Sequence, residues 1–242
     1  QHSFPTRRSS DLGRGIAPAK ATAYLFIKDG EVQDEWKDLG GQSVALPGLL
    51  KTMDIVLKKY GTMTLKDVAA PAIRCARNGF GTSYTGALTM YDNSVERKMR
   101  LSEAFRKLYL KEDGSFYRFG EIQKNQEIAD LLENIAEQGV DYFYKGKVAK
   151  QIVDLINDRG GCFDVSDMES YEPKFREPVK TTYRGYEVAA FAPPSGGCAL
   201  VEMLNILENY DVRSMGHNTA ASIHALTESM KLGFATLLSA NT

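Results

Sequence analysis

An α+β fold, helix-rich and carrying one β-hairpin, is what this sequence predicts, and two observations carry the prediction. Between residues 49 and 158 apolar positions recur at three- and four-residue spacing, the signature of helices that each bury one stripe. After Pro178 the period changes to two, over residues 179–183 and again over 186–191, with Arg184 and Gly185 between them. A chain of 242 residues, 43% hydrophobic and 25% charged, is long enough to enclose a sizeable core.

The elements follow in order. Residues 13–41 are mixed, with short extended or half-helical pieces and a turn at Lys28, Asp29 and Gly30. Pro47 and Gly48 punctuate the chain, and Leu49, Leu50, Met53, Val56 and Leu57 then share a helical face. That helix ends near Tyr60 and Gly61, with Lys58 and Lys59 in a last turn that the helix dipole favours. Thr64 and Asp67 form a capping box with Asp in the third position, opening a helix through Val68, Ile73 and Ala76 that closes at Asn78 and Gly79. Further helices are expected at 84–99, 102–110, 125–138 and 146–158. Ile128, Leu131, Leu132 and Ile135 stripe one of them, and Val148, Ile152, Val153 and Ile156 stripe another. Ser166 and Glu169 read as a second capping box, opening a short helix near Tyr171. The hairpin comes next, and helices at 197–209 and 218–234 complete the chain. No repeat of 20–50 residues is visible.

Composition excludes several function classes. A formal net charge of −1 provides no electrostatic footprint for nucleic acid. No apolar run approaches the roughly 20 residues of a membrane helix. Cys75, Cys162 and Cys198 are far apart and odd in number, so they read as buried thiols and not as a metal site or redox pair.

Taken residue by residue, the chemistry-bearing side chains read mostly as structure. His217 and His224 share a helical face but have no acidic residue at a ligand-like spacing between them. Ser195 lies in Pro-Ser-Gly-Gly and not in the Gly-x-Ser-x-Gly of a nucleophile elbow. It reads as a helix N-cap, and Gly196 and Gly197 read as close-packing residues in preference to an anion cradle. Asp164, Asp167 and Glu169 fit the first turn and cap of one short helix. Tyr142, Phe143 and Tyr144 fit core and interface better than a cofactor box. Arg14, from composition alone, is a solvated arginine between two glycines.

The order of motifs adds what the single residues lack. The string YRGYEVAAFAPPSGG at 183–197 runs into LNILENYD at 204–211. Upstream stand VALPG at 44–48, KYG at 59–61, PAI at 71–73, NGF at 78–80, FYKG at 143–146 and GG at 160–161. Together these resemble the γ-glutamyltransferase (glutathione hydrolase) family, over roughly residues 13 to 235 and in family order. The resemblance implies a four-layer αββα N-terminal-nucleophile hydrolase, made as a precursor that cleaves itself into two subunits. Residues 13–242 would form the central part of the large subunit, as a single-domain fragment. The new N-terminal threonine of the small subunit would attack the γ-glutamyl amide of glutathione or a related compound, its own α-amine acting as base. The glutamyl group would then pass to water or to an acceptor amino acid or peptide. The threonine falls outside this chain, so no catalytic residue is expected within it, and the fragment alone is expected to be inactive. No metal or organic cofactor is implied. The implied location is periplasmic or secreted, and the implied partners are γ-glutamyl compounds and the small subunit.

The same resemblance gives Arg14 a role. RGIAP at 14–18, followed by Ala21 and Thr22, falls where the family carries Arg-Glu-x-Ala-Pro, whose arginine binds the α-carboxylate of the substrate. A planar guanidinium suits that task, because it grips a carboxylate through two parallel hydrogen bonds. Gly15 stands where glutamate is frequent. Two rival readings remain: a paralogous amidase of the same superfamily, such as a cephalosporin-type acylase, and a non-catalytic helical binding module.

Both ends look cut. HSFPTRRSSDL at 2–12 matches the translation of a common short-read sequencing adapter, so residues 1–12 are expected to be foreign and disordered. ESMKLGFA at 228–235 fits a family helix that continues differently after Ala235.

Overall fold

The computed structural model describes residues 13–92, 95–96, 99–100, 102–193 and 195–239; the expectation for residues 1–12 lies outside them. The chain divides into two compact units, one spanning Gly15–Tyr171 and the other formed by Arg14 with the residues from Glu172 onward.

In the first unit, β1 (Ile27–Lys28) and β2 (Glu31–Val32) pair antiparallel around Asp29 and Gly30, whose φ values of 54° and 81° make the predicted turn. Helix α1 (Asp34–Asp38) follows. Helix α2 (Leu49–Tyr60) ends at Gly61 as expected. Its buried residues, however, are Thr52 and Asp54, whereas Leu49 and Met53 are exposed. The predicted stripe is therefore split: Leu50 packs against the core and Val56 and Leu57 are half-buried, while Leu49 and Met53 face outward. Thr52 and Asp54 satisfy their polar atoms locally: the Thr52 hydroxyl donates to Gly48 O at 3.0 Å and Lys58 Nζ donates to Asp54 at 2.7 Å.

Helix α3 (Leu65–Asn78) opens on the predicted capping box, with Thr64 Oγ1 accepting from Asp67 N and Thr64 N donating to Asp67 Oδ2. Helix α4 (Tyr84–Met90) stops far short of residue 99. Tyr91 leaves the helix, its ring meeting buried Phe116 edge-on at 5.9 Å. Helical backbone resumes at 95–96 and 99–100. Helix α5 (Glu103–Tyr109) matches its predicted span closely, while β3 (Phe80–Gly81) and β4 (Ile122–Gln123) form a two-residue ladder that no alternation announced.

Helix α6 (Gln126–Gln138), capped by Asn125, packs along α3. Arg77 clamps the pair, donating to Asp130 and Glu133 at 2.8 Å each. Its hydrogen bond holds the Glu133 carboxyl below the usual range.

Short α7 (Asp141–Tyr144) leads into α8 (Gly146–Asn157), and α9 (Val165–Glu169) ends the unit's helices. The core gathers here: Leu46, Tyr144, Ala149, Val153, Ile156, Phe163, Met168 and Tyr171. Tyr144 thus belongs to the core and Phe143 packs against it, as their apolar bulk predicts. Tyr144 is fully buried, and its hydroxyl donates to Pro47 O at 2.7 Å and accepts from Lys51 N at 3.3 Å. Burial pushes its pKa up. Tyr144→Phe strands that carbonyl and amide, so we expect a loss of about 1–3 kcal/mol of stability in denaturant titration. An unchanged midpoint would show that water serves both groups equally well.

The capping box of α9 is shifted from expectation. Asp164 is the N-cap and Asp167 the reciprocal partner, in place of Ser166 and Glu169. Contacts from outside the helix select this register: Lys20 Nζ donates to Asp164 at 3.3 Å and Ala19 N to Asp167 at 3.0 Å.

In the second unit, β5 (Val179–Tyr183) and β6 (Tyr186–Ala190) form the predicted hairpin, in register from Val179 opposite Ala190 to Tyr183 opposite Tyr186. The turn has φ of 51° at Arg184 and 80° at Gly185. The hairpin rests on α10 (Gly197–Leu207): Thr181 Oγ1 meets Asn205 Oδ1 at 2.6 Å, and Arg184 N donates to Glu208 Oε2 at 3.0 Å. Helix α11 (Ala220–Ser239) packs along α10 through the small residues Ser222, Ser229 and Gly233. A Cβ on Gly233 would stand 2.9 Å from Ala199 O.

The cysteines depart from the buried-thiol reading. All three are free, with Cys75 exposed and Cys162 and Cys198 only half-buried. Cys75 lies on an outer face of α3, whose buried residue is its neighbour Ala76.

Candidate functional site

Arg14 lies between Gly13, with φ of 84°, and Gly15, and its side chain is exposed. Its Nη1 donates to Ser195 Oγ at 3.4 Å, across 181 residues of sequence. Ser195 is therefore not the cap of α10. The N-cap is Gly196, one residue later, and no side chain caps that helix. The contact between the arginine and the Pro-Pro-Ser-Gly-Gly loop is one that the sequence reading missed. The only signal for it was the dense punctuation of the loop.

Close approach of the chain is evident at Gly197, the last residue of that motif. Ser195 N donates to Ala192 O at 3.1 Å, closing a tight turn. Gly197 presses against the chain before the turn, where a Cβ would fall 2.0 Å from Phe191 O. Its glycine is required by space, as the close-packing reading expects. Arg176 Nη1 donates to Pro193 O, tying it to the segment before the hairpin.

Downstream of the arginine, within the first unit, Ile16 bridges Leu46, and Leu46 N donates to Ile16 O at 2.8 Å. Leu46 is fully buried, so the bridge is rooted in the core. A Cβ on Gly15 would lie 3.0 Å from both Ala45 Cβ and Leu46 O. A side chain at this position requires Ala45 to yield by a few tenths of an ångström, which explains the fit of glycine here.

The other candidates are not drawn to this place. His217 and His224 are exposed, and no group of three or more His, Cys, Asp or Glu side chains among the described residues is arranged to hold a metal. Asp164 is occupied as a cap; the Ser166 amide, then Lys20, holds its carboxyl below the usual range. Among the described residues, no helix is long and apolar enough to cross a membrane. An exposed guanidinium beside a serine hydroxyl is chemically suited to binding an anion.

Comparison with known proteins bears on the family of the chain. The family described as gamma-glutamyltranspeptidase matches residues 8–238. The glutathione hydrolase proenzyme of Escherichia coli (strain K12) is 36% identical over 226 residues, which are 92% of this chain and 38% of that protein. The acylase ACY 1 proenzyme of Pseudomonas sp. (strain SE83) is 33% identical over 227 residues, covering 90% of this chain and 40% of the acylase. Among solved structures, the gamma-glutamyltranspeptidase of Helicobacter pylori superposes with a TM-score of 0.88 at 32% identity, over 93% of this chain and 64% of that chain. The chain thus spans about two fifths of the length of these curated relatives. With a match that runs over nearly all of its residues, and a fold shared at that TM-score, the chain belongs to the gamma-glutamyltranspeptidase family.

Proposed function

We propose that this chain is the central part of the large subunit of a γ-glutamyltransferase. The complete protein cleaves the γ-glutamyl amide of glutathione or a related compound and passes the glutamyl group to water or to an amino-acid or peptide acceptor. Its nucleophile is the N-terminal threonine of a small subunit released from the same precursor. This chain contributes scaffold and one substrate contact, in which Arg14 holds the α-carboxylate of the donor. The observation that carries the reading is the RGIAP sequence at 14–18 inside a family match that extends over residues 8–238. The exposed guanidinium, set beside a hydroxyl, supports it.

The acylase relative, at 33% identity over 227 residues, favours a second reading, in which the same threonine acts on another acyl group. The two differ at the α-amine of the donor. A γ-glutamyl anilide and a glutaryl anilide both carry the carboxylate that Arg14 would meet, and only the first carries the ammonium. The full-length protein, matured and purified, should turn over the γ-glutamyl anilide with a kcat/KM at least tenfold above that of the glutaryl anilide. Equal rates, or a preference for glutaryl, would transfer the assignment to the acylases. Cleavage of neither would leave the chain as a helical binding module.

A further inference from the structure

We infer that Asp167 is a positioning residue for the segment that carries Arg14: its carboxylate ties that segment to the core at a second point and so sets where the arginine is delivered. The inference rests on the proposed role of Arg14 and extends it to a residue far along the chain.

Residues 13–22 form no helix or strand, only an isolated bridge at Ile16. That bridge contributes one hydrogen bond, from Leu46 N to Ile16 O at 2.8 Å. A single bond leaves a segment free to pivot, and Arg14, two residues before the bridge, would swing with any movement of the residues beyond it. A second tie removes the pivot. It comes three residues after Ile16, where Ala19 N donates to Asp167 Oδ1 at 3.0 Å. Pro18, between the ties, is buried, and Ala21 N donates to Pro18 O at 2.9 Å, so the backbone turns at the second tie. Both ties lie in the unit that begins at Gly15, and a peptide bond joins Arg14 to it.

Asp167 serves as an anchor because its own place is fixed from the core. Met168, next to it, is fully buried, and Phe163, ahead of α9, is buried as well. Asn157 at the end of α8 holds Phe163 by both main-chain groups, accepting from its N–H at 2.9 Å and donating to its C=O at 2.8 Å. The Asp167 carboxylate works in two directions. Oδ2 accepts from Asp164 N at 2.8 Å and closes the cap of α9, while Oδ1 reaches the loop. The Lys20–Asp164 pair runs alongside, but both side chains are more than half exposed, and solvent screening leaves such a pair weak. The hydrogen bond from Ala19 to Asp167 is therefore the tie that matters.

Freed at this tie, the segment spends part of its time with Arg14 displaced, and donor affinity falls with the fraction correctly placed. In the matured full-length enzyme, Asp167→Asn should raise KM for a γ-glutamyl anilide roughly three- to tenfold, the size of one net hydrogen bond, with kcat within about twofold. Asn has one acceptor oxygen where Asp has two, so it serves the cap or the loop but not both. The kcat/KM for a 4-aminobutyryl anilide, which lacks the α-carboxylate, should stay within about twofold of the parent value. Ala19→Pro breaks the same tie from the other side, deleting the N–H and leaving the cap of α9 in place. Proline suits that position, the second of the turn from Pro18 to Ala21, where neither Ala19 nor Lys20 has a positive φ. It should reproduce the rise in KM, and it carries the test if Asp167→Asn fails to mature. Asp164→Ala weakens the cap without touching the Ala19 bond and should keep the parent KM. In an Arg14→Gln background, Ala19→Pro should add nothing, because the group being placed is gone.

An unchanged KM in Ala19→Pro, beside a raised KM in Arg14→Gln, overturns this inference and leaves the proposed function standing. An equal rise in Asp164→Ala, or an equal loss on the 4-aminobutyryl donor, overturns it as well, by showing a role in α9 or in the fold alone. An unchanged KM in Arg14→Gln instead removes the proposed role of Arg14, and this inference falls with it.

Discussion

If Arg14 has the proposed role, Arg14→Gln should raise KM for γ-glutamyl donors by about ten- to a hundredfold in the full-length protein, because a charge-assisted hydrogen bond contributes roughly 1.5–3 kcal/mol. The proposed self-cleavage should stay largely intact, since it would involve no free substrate carboxylate. Arg14→Lys recovers only part of the loss. An ammonium restores the charge but presents a single point where the guanidinium presents two parallel donors. KM and subunit maturation, measured together on both variants, separate a binding defect from a folding defect. Full recovery by lysine would mean that charge alone is recognised.

Gly41→Ala is the substitution expected to damage the fold most. A Cβ at Gly41 would stand 2.0 Å from Ile156 O and 2.4 Å from Gly161 N, both backbone atoms that cannot rotate away. Gly41 N also donates to Arg159 O at 2.8 Å, so the strained place is hydrogen-bonded into the end of α8. Overpacking of this kind costs about 3 kcal/mol, which for a chain of this size lowers the thermal midpoint by roughly 6–12 °C. Gly30→Ala is the control. Gly30 has φ of 81° and nothing within 4 Å, so it carries only the conformational penalty of about 1–2 kcal/mol. Equal losses at the two positions, measured by denaturant unfolding, would refute the close approach of the chain at Gly41.

Elements set by local chemistry were legible in the sequence. Thr64 and Asp67 cap α3 because both halves of the box lie within four residues. The hairpin at 179–190 is legible because alternation and turn chemistry are both local. What escaped was decided at a distance. Two overlapping boxes compete at 164–169, and the winner is the one that Lys20 and Ala19 reach. Helix α4 looks continuous to residue 99, yet Tyr91 leaves it to meet Phe116. Periodicity located the helix at 49–60 and the inward Leu50, but not its fully buried positions, which are the polar Thr52 and Asp54. The candidate site divides in the same way. The motif singles out Arg14 in the sequence, while its contact with Ser195 spans 181 residues and was signalled only by the punctuation of the loop.

The proposed function turns on one interaction, a guanidinium at position 14 reading an α-carboxylate, and a pair of donors isolates it. A 4-aminobutyryl anilide is a γ-glutamyl anilide without the α-carboxylate. The matured full-length protein should favour the γ-glutamyl donor in kcat/KM by about ten- to a hundredfold, and Arg14→Gln should erase most of that preference. A parent enzyme that turns over both donors equally, or an Arg14→Gln variant that keeps the full preference, would contradict the account.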